Sequence, residues 1–132
     1  MERLNRMITA VCKKPALYAG RADMRLVRAF LDGYVCALAE SRELDGYSFG
    51  GFLGWLEVQY NICNVGWGWD RILAHSAGSH EAAIRSLPDR FSQYCEAVAS
   101  RAFDADIARE RHFGGESRKP DETWTEGWYD HL

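Results

Sequence analysis

The feature that most constrains this chain is an apolar pattern that repeats with the same offsets in separate segments. Val27, Phe30, Leu31, Tyr34 and Leu38 fall at i, +3, +4, +7 and +11. Phe49, Phe52, Leu53, Leu56 and Tyr60 repeat those offsets. A period near 3.6 lines such residues along one face of a helix, and two helices patterned this way must bury their faces against something. The pattern predicts one helix over about 22–40 and another beginning after Ser48, a natural N-cap. A third stretch keeps helical phase through Ile84, Leu87, Phe91, Tyr94, Cys95 and Val98. Ser79 is placed to cap it and Glu81 to sit in its first turn. Pro88 falls inside it. Either the helix kinks there or two helices meet, and the unbroken phase favours a kink.

Shorter segments complete the set. Leu4, Met7, Ile8, Val11 and Cys12 predict a first helix that Pro15 stops, with residues 15–20 as a connector. Trp69, Ile72 and Leu73 predict a short helix over about 67–76. Gly33, inside the second helix, costs about 1 kcal/mol relative to Ala, a penalty that close approach of another helix would offset. Gly50, Gly51 and Gly54 suit the same purpose. No segment alternates apolar and polar residues long enough to suggest a strand. The expected fold is therefore all-α: a single compact bundle of five to six helices over residues 1–112, followed by residues 113–132 as a linker and a short acidic-aromatic helical tail.

A chain of 132 residues buries about two-thirds of its unfolded surface by size scaling, enough for one core without staples. Cys12, Cys36, Cys63 and Cys95 form no CxxC, which argues against zinc and, with no signal-like or spanning apolar run, points to reduced thiols in a cytoplasmic protein without membrane contact. The net charge of −3 lies wholly in residues 101–132, where eight acids face five bases. A basic surface of the kind that binds nucleic acid is missing.

Catalytic patterns are also missing. His75, His80, His112 and His131 form no HExxH arrangement, Ser79 sits in Gly-Ser-His outside any nucleophile elbow, and the glycines of 50–68 lack a phosphate-loop Lys-Ser/Thr. The expectation is a binding protein with no catalytic residues, no metal and no cofactor.

Aromatic residues dominate what remains. The five tryptophans cluster as Trp55; Trp67 with Trp69; and Trp124 with Trp128. In Gly66-Trp67-Gly68-Trp69-Asp70 the two indoles leave on different sides of a helix start, one for the core and one for the surface. Trp124 and Trp128, at i and i+4, stand among Asp121, Glu122, Glu126 and Asp130. That segment either folds back to complete the core or presents rigid anchors rimmed by acids that steer a basic partner. Candidate partner-binding residues are thus Asp121, Glu122, Trp124, Glu126, Trp128 and Asp130, with Glu57, Trp67 and Asp70 on the helical body. An alternative is a small-molecule binder or enzyme with an aromatic pocket around Tyr60, Trp67 and Trp69 and with Glu57 and Asp70 as its polar groups.

One succession of short motifs adds a sharper expectation. Lys14-Pro15-Ala16-Leu17-Tyr18-Ala19-Gly20 is followed by Ala29-Phe30-Leu31-Asp32-Gly33-Tyr34. Then come Phe52-Leu53-Gly54-Trp55-Leu56, Gly66-Trp67 with Ile72-Leu73, and a closing amphipathic helix. Over residues 13–98 this order resembles small helical bacterial proteins encoded beside polymorphic or contact-dependent-inhibition toxins and treated as their immunity proteins. The resemblance implies a cytoplasmic protein that occludes or distorts the active site of a cognate toxin.

Overall fold

A computed structural model of the chain describes residues 2–41, 49–62, 66–104, 107–108, 117 and 129. Among these the protein is all-α, with six helices and no strand: α1 (Glu2–Lys13), α2 (Pro15–Ala19), α3 (Met24–Glu40), α4 (Phe49–Tyr60), α5 (Trp69–Ala77) and α6 (His80–Ala99).

The stretch expected to be a connector is α2. Proline is pre-set for the first position of a helix, where its missing N–H costs nothing. Here it opens a five-residue turn that Gly20 closes at φ 93°, with its N–H donating to Ala16 O. Asp23 then caps α3, its side chain accepting from the Arg25 N–H at 2.8 Å. The Ser79 cap of α6 is present as expected and accepts from the Ala82 N–H at 3.1 Å. Pro88 does not divide α6, which runs as one helix from His80 to Ala99. Ser48 and the linker at 113–121, Ser117 apart, lie outside the described residues.

Helix α6 is the hub, with α1, α3, α4 and α5 all packing on it. Between α4, α5 and α6 the core is aromatic. Phe49 stacks on Trp69 at 4.9 Å, and Phe52 meets Phe91 edge-on at 5.2 Å with Tyr94 at 5.7 Å. Helix α4 reaches α6 through Gly51, where an added Cβ would run into the Tyr94 phenol. The close approach expected of this glycine is what the structure contains.

Two expectations for α3 change. Phe30 is only half-buried, because the short α2 covers its edge with the Tyr18 ring at 5.7 Å and reaches no further. Gly33 is exposed, and a Cβ there would meet nothing within 4 Å. No neighbouring helix offsets its cost.

Candidate functional site

The start of α5 separates two tryptophans that are two residues apart. Gly66 takes φ 75°, a left-handed conformation open to glycine. Gly68 follows as an extended N-cap with no side-chain hydrogen bond of its own. Trp69 then turns inward and is 3% exposed. Trp67 stays half-buried at the surface, with the Arg71 guanidinium 5.6 Å from its ring centre and the His75 ring at 6.1 Å.

Trp67 forms one wall of an open cleft of about 430 Å³. Arg25 and Arg28 enter from α3, Gly68 and Arg71 from the start of α5, and Tyr129 from the C-terminal segment. Asp70 organises this cleft. It is 5% exposed, accepts from Arg28 Nη1 at 2.7 Å, and takes the Tyr129 hydroxyl hydrogen bond on its other oxygen. A buried carboxylate is tolerable only when charge and donors satisfy it, and these two groups do so. Arg28 also reaches Asp32 through Nε at 3.3 Å. Its partial burial disfavours the charged form, but Asp70 and Asp32 outweigh that and raise its pKa above the ordinary arginine value.

Tyr129 is 3% exposed, so the C-terminal segment meets the helical body at this position. Its ring stacks on His80 at 5.3 Å and lies between the Arg25 and Arg71 guanidiniums, at 5.6 and 5.4 Å. Burial, followed by the neighbouring Asp70, pushes its phenol pKa well up and keeps the hydroxyl a donor. His80 Nδ1 accepts the Met24 N–H at 3.0 Å, which ties the starts of α3 and α6 together beneath the ring. Asp23, beside them, is subject to burial that raises its pKa. Hydrogen bonds from the Arg25 side chain and backbone, with the Arg25 charge, more than reverse this and leave it lowered.

Of the residues expected at a binding site, Trp67 and Asp70 stand in the cleft. Asp70 serves as its buried organiser, with its carboxylate engaged inside the protein. Glu57 is 8% exposed within the packed face of α4, Tyr60 packs half-buried against the core, and Trp69 belongs to the core itself; none of the three lines the cleft. Asp121, Glu122, Trp124, Glu126, Trp128 and Asp130 lie outside the described residues. Sequence reasoning missed the arginines. Arg25, Arg28 and Asp32, at i, i+3 and i+7 of α3, share one face, and that spacing is the signal that would have found two of the arginines.

Among the described residues no group of three or more His, Cys, Asp or Glu is placed to hold a metal ion. No described helix is long and apolar enough to cross a membrane. Cys12 and Cys36 are free thiols, and burial pushes the Cys12 pKa up to about 12, which removes its nucleophilic form at neutral pH. The cleft offers guanidinium groups, ring faces and a helix start. Compared with known protein families, with curated proteins and with solved structures, the chain matches none of them.

Proposed function

We propose that this chain is an immunity-type protein that acts in the cytoplasm by binding a cognate bacterial toxin and occluding its active site. The observation that carries the proposal is the composition of the open cleft. Arginine and tryptophan are among the residues that concentrate binding energy at protein interfaces, and here Arg25, Arg28, Arg71 and Trp67 line one open depression. The resemblance of residues 13–98 to toxin-associated immunity proteins supports the same reading. The acidic residues Asp121, Glu122, Glu126 and Asp130 belong to the same C-terminal segment as Tyr129, and in this proposal they attract a basic surface of the toxin.

A small-molecule reading has one observation in its favour, since about 430 Å³ falls within the size range of ligand pockets. The open, arginine-lined walls favour a protein contact over an enclosed aromatic chamber.

The decisive experiment pairs this chain with the toxin domain encoded by the neighbouring upstream gene. Expression of that domain alone should arrest growth, and co-expression with this chain should restore it through a stable complex. A neighbour that encodes no toxin, or growth that stays arrested with both proteins present, overturns the proposal. Changing the four tail acids to their amides should slow association and flatten its salt dependence. An unchanged rate across a salt series removes the tail from recognition.

A further inference from the structure

The cleft draws its walls from α3, from the start of α5 and from the C-terminal segment, and Tyr129 touches the other two. We infer that Tyr129 is the positioning residue of this cleft: its seated ring holds the Arg25 and Arg71 guanidiniums in the places from which they meet the protein partner. The inference rests on the partner-binding reading above and names how that site is regulated. The cleft is competent only while Tyr129 is seated.

Cations and rings alternate across the cleft. Trp67 meets Arg71 at 5.6 Å, Arg71 meets Tyr129 at 5.4 Å, and Tyr129 meets Arg25 at 5.6 Å. Each step lies within the ~6 Å over which a guanidinium is drawn to a ring face. Trp67 has one guanidinium neighbour in this series, whereas Tyr129 has two, one from α3 and one from α5. Without the Tyr129 ring, two like charges on different helices lose the partner they share, and their repulsion favours moving apart.

The ring is fixed more firmly than the side chains it orders. It is 3% exposed, and its hydroxyl donates to Asp70, which Arg28 holds in turn at 2.7 Å. His80 stacks on it at 5.3 Å and is itself tied to the start of α3 by the Met24 N–H. Arg25 has looser ties of its own. Its Nε and Nη2 reach Asp23 at a long 3.4 Å, and its side chain remains 25% exposed. A side chain held so loosely gives up rotamer freedom on binding unless another group has already removed it.

A residue seated in a cleft either closes it or builds it. Here an open space of about 430 Å³ persists with Tyr129 in place, and Tyr129 lines it. The tyrosine is therefore part of the wall.

Ring and hydroxyl have separable duties. The ring orders the arginines, and the hydroxyl fastens the ring to Asp70. Tyr129→Phe keeps the first and removes the second, whereas Tyr129→Leu removes both.

The test uses the isotope-labelled full chain and the heteronuclear NOE of each arginine Nε, which reports motion on the picosecond-to-nanosecond scale. In the unaltered chain Arg25 and Arg71 should approach backbone values, while the exposed Arg6 and Arg21 fall well below them. Tyr129→Phe should keep both cleft arginines ordered. Tyr129→Leu should bring Arg25 toward the level of Arg6 and lower Arg71 by a smaller step, because Trp67 still holds it. Affinity for the toxin domain should divide the same way. It should stay within about twofold for Tyr129→Phe and weaken at least about fivefold for Tyr129→Leu, through faster dissociation at an unchanged association rate. A tyrosine with a purely structural role would lower stability in both variants and leave the affinity of the folded fraction unchanged in both. Should Tyr129→Leu not fold, the unaltered chain still decides, because an Arg25 as mobile as Arg6 there overturns the inference. An Arg25 that stays ordered in Tyr129→Leu, or an affinity that Tyr129→Phe loses as fully as Tyr129→Leu, overturns it as well. No toxin enters the NOE measurement. Arginines released by Tyr129→Leu, with no growth rescue by the unaltered chain, overturn the immunity function alone. Intact growth rescue with unchanged affinity in Tyr129→Leu overturns the positioning role alone.

Discussion

Trp69 and Trp67 are separated by one glycine, yet they belong to regions held together by different physics. Around Trp69 the rings of Phe49, Phe52 and Phe91 lie at 4.9 to 6.3 Å from one another or from the indole, and all four residues are buried. Stability there comes from apolar area removed from water and from close packing. Around Trp67 the neighbours are charged, and the shape depends on one buried carboxylate, Asp70, with its guanidinium and phenol partners. The first region resists change in volume, and the second resists change in charge or hydrogen bonding. What they teach together is that an aromatic residue on a helix start is core or contact according to how the chain enters the helix, here through the left-handed turn at Gly66.

The largest expected effect tests the core. Phe52 is fully buried at the centre of the ring cluster, and Phe52→Ala should cost about 3–5 kcal/mol through lost transfer energy and a cavity. Urea denaturation measures this, and a loss below about 1 kcal/mol would break the contrast, because the rings would not be what holds the bundle.

The next effect belongs to the cleft. Tyr129→Phe keeps the ring and removes the hydroxyl that donates to Asp70. A hydrogen bond to a charged group is worth about 1.5–3 kcal/mol. The same denaturation experiment should show a loss of that order. An unchanged stability would mean that Asp70 does not depend on the C-terminal segment.

Acid sensitivity should also divide the two regions. Asp23, which pairs with Arg25 of the cleft, has a native pKa below its ordinary value. As pH falls to about 3.9, the unfolded chain takes up the proton before the native one does. The stability that Asp23 contributes is therefore present above that pH and is lost as pH falls through the lowered native value. Asp23→Asn keeps a capping oxygen but cannot titrate. Its melting temperature should fall less between pH 6 and pH 3 than that of the unaltered chain. Equal falls would remove Asp23 from the acid response.

The smallest effect has the opposite sign. Gly33 sits inside α3 with open space where a side chain would stand, and Gly33→Ala should raise stability by up to about 1 kcal/mol. A loss of stability would mean that this face of α3 is covered after all.

How much of this was legible in the sequence follows from the range over which each feature acts. Periodicity is local, so the offsets through Val27 to Leu38, Phe49 to Tyr60 and Ile84 to Val98 located α3, α4 and α6. The Ser79 cap was visible for the same reason, since it needs only the N–H three residues on. Phe30 has the phase of a core residue, but its burial depends on the length of α2, which no pattern within α3 records. Gly33 invited a close helix contact that only the tertiary arrangement could grant or refuse. The cleft was least legible, because Arg28 meets Asp70 across 42 positions and Asp70 meets Tyr129 across 59. Trp67 and Asp70 were singled out from the glycines around them, and their arginine partners were not.

The central claim joins the proposed recognition by the cleft to stability residing in the core, and the paired variants Trp67→Ala and Trp69→Ala test it most directly. The measurement is affinity for the toxin domain together with stability, for each variant as purified protein. Trp67→Ala should weaken the complex at least tenfold, about 1.4 kcal/mol, while lowering stability by less than about 1 kcal/mol. Trp69→Ala should lose about 3–5 kcal/mol of stability, with its folded fraction binding as before. Unaltered affinity in Trp67→Ala, or a loss of binding confined to Trp69→Ala at equal folded fraction, would contradict the account.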